Sequence, residues 1–258
     1  MSGVASSGLR AGVAAFAARM VLYLPGLDGT ARLLYRQAGL HAAYEVVGVP
    51  YPQDRPQSYA GLTKRAVAAL EGRLTPGQRA VVLAESFGGA VALGLALARP
   101  ELVERLVLVN TYAYFPRRWL VRLVSGLAPW LPARPGSPLT RPVRGVFFFA
   151  PEIAAAERAA WWQRTADVPL WAYGERTRLI AGLDLRPRLH QITLPTLVVV
   201  APNDRVVPPA AGRELARLLP NARLLELRVG HAAMIHPKLD VARLLREPAW
   251  WVKTEPQT

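Results

Sequence analysis

Six stretches of this chain hold short apolar runs rich in Val and Leu, and between them lie stretches in which apolar residues recur every three or four positions. The first group reads "RMVLYLPG" ending at Gly26, "YEVVGVPYP" from Tyr44, "QRAVVLAES" ending at Ser86, "VERLVLVN" ending at Asn110, "TLVVVAPND" ending at Asp204 and "ARLLELRVGH" ending at His231. A strand with apolar side chains on both faces needs cover on both faces, so each is expected to be a buried parallel strand. The second group predicts helices over residues 30–40, 59–74, 87–98, 210–219 and 237–245. Strand and helix in alternation specify an α/β fold, a mostly parallel, doubly wound sheet covered by helices on both sides. Pro100, Pro195 and Pro237 fall at element boundaries, where a residue without an N–H is tolerated.

One interval breaks the alternation. Residues 113–190 hold five of the seven tryptophans, together with Phe115, Phe147, Phe148 and Phe149, and their apolar spacing is helical. This interval is expected to be an inserted helical cap of two or more helices, with residues 19–112 and 191–258 forming the core. Residues 1–18, "MSGVASSGLRAGVAAFAA", are small and weakly apolar. They read as a flexible leader and not as a secretory signal, which would leave the protein in the cytoplasm. No other run is long and apolar enough to suggest a transmembrane segment.

Composition narrows the chemistry. With 258 residues, 52% of them hydrophobic and 19% charged, the chain can bury a substantial core. It has no cysteine, which removes disulfides, thiolate metal sites and a cysteine nucleophile. Its four histidines, His41, His190, His231 and His236, show no metal-ligand spacing, so no metal is expected. The formal charge is +14, from 29 arginines and three lysines against 18 acids. No basic run is interleaved with aromatics and no nucleic-acid reading module is present, so nucleic acid is not an expected partner. The charge is uneven, however: residues 113–190 carry twelve arginines and five acids, a net +7. Such a face could attract an acidic carrier protein or an anionic lipid surface.

The stretch "AVVLAESFGGAVALGLALA", from Ala80 to Ala98, sets a lone acid and a lone hydroxyl, Glu85 and Ser86, between an apolar strand and an apolar helix. A sharp strand-to-helix turn would expose that hydroxyl, and it needs small residues two positions to either side, which Ala84 and Gly88 supply. The start of the following helix aims its N–H groups, that of Phe87 first, at charge developing beside Ser86. Ser86 is therefore a candidate nucleophile, and the alternative role of a simple helix N-cap is countered by this context. An acid and then a histidine should follow in the sequence, each at a strand end. Asp204 in "APNDRVVP" and His231 in "GHAAMIHP" meet that requirement. His236, just before Pro237, is the rival base and is expected to face solvent. Asn110 ends another strand but cannot carry the acid's charge. The glycines of "YLPGLDGT" let the chain fold back so that the Leu27 N–H can join that of Phe87 in an oxyanion hole. Asp28 could brace this loop or, with Leu27 and Phe87, contact substrate.

Taken in order over roughly residues 19–245, "LPGLDGT", "AESFGG", "APNDRVVP" and "GHAAMIHP" resemble the oxyanion loop, nucleophile elbow, acid loop and histidine loop of α/β-hydrolase-fold serine hydrolases. Two features depart from the common pattern: Pro25-Gly26 stands where many members have His-Gly, and the region before Arg19 is too short and Ala-rich for the usual first antiparallel strands. The resemblance implies a sheet of six or more strands with the site beneath the cap. It further implies cleavage of carboxylic esters of apolar acyl groups by a Ser86, His231 and Asp204 triad through an acyl-enzyme, with no cofactor. Acyl transfer or thioester hydrolysis with the same residues is the alternative, and a non-catalytic ligand-binding protein on this fold is the remaining one.

Overall fold

The structure is a computed structural model that describes residues 20–127 and 141–251. All six expected strands form: β1 (Met20–Leu24), β2 (Glu45–Gly48), β3 (Ala80–Glu85), β4 (Val103–Val109), β5 (Thr196–Val200) and β6 (Ala222–Glu226). They pair in parallel in the order β2-β1-β3-β4-β5-β6. Nine helices are described: α1 (Ala38–Ala43), α2 (Tyr59–Glu71), α3 (Phe87–Ala98), α4 (Arg118–Leu127), α5 (Arg141–Phe148), α6 (Ala155–Arg164), α7 (Leu170–Gly182), α8 (Pro209–Leu218) and α9 (Val241–Arg246). The four from α4 to α7 lie between β4 and β5 in sequence.

The period-2 geometry of a strand sorts the central apolar runs into two cores. Leu22, Leu24, Val82, Ala84, Leu106, Leu108, Val198 and Val200 face one way, among residues of α2, α3 and α8. Val21, Tyr23, Val81, Leu83, Val107, Val109, Leu197 and Val199 face the other way, with Leu40 of α1 and Val241, Ala242 and Leu245 of α9. The expectation of full burial fails at the two edges. Most of β2 and β6 is half-buried or exposed, because an edge strand has a neighbour on one side only.

Two predicted helices are also corrected. Residues 30–37 form turns, and helix appears only in the six residues of α1. The Asp28 carboxylate takes both the N–H and the hydroxyl of Thr30, and Ala31 adopts a φ of +58°, which no right-handed helix accommodates. Leu33 and Leu34 then go to two different apolar clusters. The last helix begins at Val241, not at Pro237, because the Asp240 side chain caps it by accepting from the Arg243 N–H.

Candidate active site

The parallel register brings the ends of the strands to one edge of the sheet; Ser86 directly follows β3, Asp204 lies four residues past the end of β5 and His231 five residues past the end of β6. Ser86 follows β3 directly, with φ +50° and ψ −121°, a strained conformation for a residue bearing a side chain. The turn is held by the Ser86 N–H donating to Val109 O at 2.9 Å and by the Thr111 hydroxyl donating to Ser86 O at 2.6 Å. Its tightness explains the glycines: a Cβ on Gly88 would lie 2.3 Å from Leu24 O, and one on Gly89 would lie 1.9 Å from the Thr111 hydroxyl. Phe87 is the first residue of α3, so its N–H has no acceptor within the helix.

His231 and Asp204 are joined, with Nδ1 and Oδ2 2.8 Å apart. The other carboxylate oxygen of Asp204 accepts the N–H groups of Val206 (2.7 Å) and Val207 (3.0 Å), which fixes the acid loop. Burial pulls the His231 pKa down, but the charge and hydrogen bond of Asp204, helped by the charge of Glu85, outweigh it and leave the imidazole above its ordinary value. The backbone around it is pinned from two sides. Asn110 donates from Nδ2 to Gly230 O (2.8 Å) and to His231 O (3.2 Å), while its Oδ1 accepts the Ala201 N–H at 2.8 Å. The Ala232 N–H donates to Phe148 O at 2.8 Å, and Gly230, at φ +68°, passes so close to the chain just after α5 that a Cβ there would lie 2.7 Å from Ala150 N. Asn110 is therefore the strut between the acid and histidine loops, a role that its position at a strand end did not disclose.

His236 does not face solvent as expected. Its side chain is buried, Nδ1 accepts the Lys238 N–H at 3.1 Å, and Nε2 lies 3.1 Å from a Glu152 oxygen. With Nδ1 occupied as an acceptor, Nε2–H donates a hydrogen bond to Glu152. His236→Ala is expected to lower thermal stability while leaving the rate per folded molecule within about twofold, because a ring tied at both nitrogens has none left for a reacting proton. A loss of rate as large as that of His231→Ala, in enzyme shown folded by circular dichroism, would make His236 the base.

Ser86 and His231 border one small cavity of about 30 Å³, together with Gly26, Leu27, Asp28, Glu85, Leu33, Phe148, Trp161, Tyr173 and Ala232. That is room for a water or for the carbonyl end of a substrate. Leu27 and Asp28 thus reach the site. The Phe87 side chain does not: it is buried between Tyr51 and Tyr59, with ring centroids 5.8 and 5.1 Å away. Trp161 and Phe148 wall the cavity, and Phe148 sets its ring edge-on to the His231 ring at 5.4 Å.

The loop after β1 is held by a residue that the sequence did not single out. Arg176 of α7 is fully buried, and its guanidinium donates to Leu27 O (2.7 Å), Asp28 O (3.2 Å), Pro52 O (3.4 Å) and Gln53 Oε1 (3.0 Å). Gln53 in turn donates to Asp28 O at 3.0 Å. Gly29 makes room for this clasp, since a Cβ there would lie 2.8 Å from the guanidinium, and its φ of +65° suits glycine. Burial raises the Asp28 pKa, opposed by the hydrogen bonds from Thr30 and the charge of Arg176. Among the described residues no cluster of histidines and acids could hold a metal ion, and no helix is long and apolar enough to cross a membrane.

Comparison with known proteins agrees with this architecture. The model of the "Alpha/beta hydrolase family" matches residues 8–244. The "Putative carbamate hydrolase RutD" of Serratia proteamaculans (strain 568) is 29% identical over 184 residues, 66% of this chain and 64% of that protein, so the match spans just under two thirds of that relative's length. The protein of the same description from Cronobacter turicensis (strain DSM 18703 / CCUG 55852 / LMG 23827 / z3032) is 31% identical over 84% of each chain. Among solved structures, the enol-lactonase from Burkholderia xenovorans LB400 superposes with a TM-score of 0.75 at 22% identity, covering 88% of this chain and 90% of that one.

Proposed function

Since the chain belongs to the alpha/beta hydrolase family, we propose that it hydrolyses carboxylic esters of apolar acyl groups through an acyl-enzyme formed on Ser86. The observation that carries this reading is the 2.8 Å contact between His231 Nδ1 and Asp204, with His231 and Ser86 bordering the same cavity. His231 takes the proton of Ser86 through Nε2 as the hydroxyl adds to the carbonyl carbon, and Asp204 holds the imidazolium that results. The N–H groups of Leu27 and Phe87 receive the oxyanion, His231 returns its proton to the leaving alcohol, and water repeats the cycle on the acyl-enzyme. Leu33, Phe148, Trp161 and Ala232 give the cavity apolar walls, which favours an apolar acyl group, each buried methylene contributing about 0.8 kcal/mol.

Relatives described as carbamate hydrolases support a second reading in which the carbonyl belongs to a carbamate. The small volume of the cavity favours it. The same three residues would also serve acyl transfer or thioester hydrolysis, with an alcohol replacing water or a thiol leaving. An acidic carrier could deliver the acyl group, attracted by the net positive charge of residues 113–190. The deciding experiment is a panel of p-nitrophenyl esters from acetyl to octanoyl, matching carbamates and acyl-thioesters, with Ser86→Ala as the control. Specificity constants that rise with chain length support the apolar ester. A steady fall from acetyl to octanoyl, with carbamates preferred, overturns that assignment in favour of the second reading.

A further inference from the structure

The acid that precedes Ser86 has no part in the steps above, although it borders the same cavity. Glu85 is buried at the end of β3 and accepts a hydrogen bond from the Tyr23 hydroxyl of β1. Gly26 of the oxyanion loop packs against it: a Cβ there would lie 3.8 Å from Glu85 Cγ, 3.7 Å from an Asp28 carboxylate oxygen and 3.6 Å from Ser86 Cβ. We propose that Glu85 is a positioning residue: its carboxylate fastens the end of β3 to Tyr23 and to the oxyanion loop, and it is the second negative charge, after Asp204, that the His231 imidazolium meets as it forms. This rests on the assignment of Ser86 and His231 above.

The charged and titratable groups around it come from every neighbouring element. Tyr23 lies on β1, Asp28 on the following loop, Tyr51 on the loop after β2 and His231 on the histidine loop, while Arg176 of α7 acts on Asp28 from behind. Burial, and then the charge of Asp28, raise the Glu85 pKa to about 7, against the Tyr23 hydrogen bond, the charge of His231 and the Gly26 N–H. The charge of each shifts the other, so Glu85 and His231 titrate as a coupled pair. The sign follows: ionised Glu85 favours the imidazolium and holds the His231 pKa up, and as pH falls through about 7 that support is withdrawn.

The test reads His231 directly, by proton NMR titration of its ring, beside the pH profile of kcat/KM. Glu85→Gln keeps the shape and an acceptor for the Tyr23 hydroxyl but removes the charge. Its expected results are a His231 titration and an acid limb moved at least about half a pH unit lower, a limb fitted by one group in place of two, and a plateau about tenfold lower. Tyr23→Phe, which leaves the acid but removes its hydroxyl donor, should move the Glu85 step to higher pH, and it carries the test if Glu85→Gln does not fold. A purely structural role would lower the yield of folded protein or the plateau without moving either titration, and unmoved titrations in both variants overturn the proposal. Labelling of wild-type Ser86 by a fluorophosphonate keeps the two readings apart: labelled serine with unmoved titrations sinks only the role of Glu85, whereas unlabelled serine sinks the site assignment.

Discussion

Replacement of Ser86 by alanine, or of His231 by alanine, is expected to lower the rate of the chemical step by roughly four orders of magnitude or more, with the protein still folded. The two losses should be of similar size and should not add in the double variant, because a hydroxyl without its base and a base without its hydroxyl fail at the same step. The structural basis is the geometry at the sheet edge: a serine held at φ +50° after β3 and a histidine held at 2.8 Å to Asp204. Fluorophosphonate labelling followed by peptide mass spectrometry should place the adduct on Ser86 in wild type and nowhere in Ser86→Ala. An adduct on another residue of folded protein, or a Ser86→Ala variant that keeps more than about a hundredth of the wild-type rate, would remove the proposed mechanism.

The sequence displayed the elements whose physics is local or periodic. The central strands were legible because each is apolar on both faces, and the structure uses both faces, sending Leu22 and Val82 to one core and Val21 and Val81 to the other. The glycines of "ESFGG" were legible because a close approach excludes a Cβ, and Leu24 O and the Thr111 hydroxyl are the atoms in the way. Residues 30–40 misled because a helical spacing of leucines says nothing about Asp28 capturing Thr30 or about Leu33 and Leu34 parting to separate clusters. The burial of His236 was hidden for the same reason, since its partner Glu152 lies 84 positions away. Asn110 stands at a strand end where its lack of charge excludes it as the acid, and nothing local in the sequence shows what it holds. Its amide can donate and accept at once, and that is what the two loops require.

Arg176 is the largest omission, and it predicts a second large effect. As one of 29 arginines it carried no signal in the sequence, yet it is fully buried and reaches from α7 to four acceptors on the loops after β1 and β2. Burial pulls its pKa below the ordinary guanidinium value, opposed by the charge of Asp28, but a guanidinium stays protonated and its planar fork suits several carbonyls at once. Arg176→Met fills similar space while leaving the carbonyls of Leu27 and Asp28 without this donor. The expected cost is about 2–4 kcal/mol of stability, on the order of 5–15 °C in Tm for a chain of this size. If the clasp also aims the Leu27 N–H, kcat should fall about 10- to 100-fold with KM little changed, because an oxyanion donor acts on the transition state and not on the bound ester. Arg176→Lys restores the charge without the fork, so it should recover part of the stability and little of the rate. Thermal unfolding and steady-state kinetics on the three proteins decide the matter: a native Tm in Arg176→Met would show that the clasp contributes no stability, and a full rate recovered by lysine would show that charge, not the positioning of the loop, is what the site takes from Arg176.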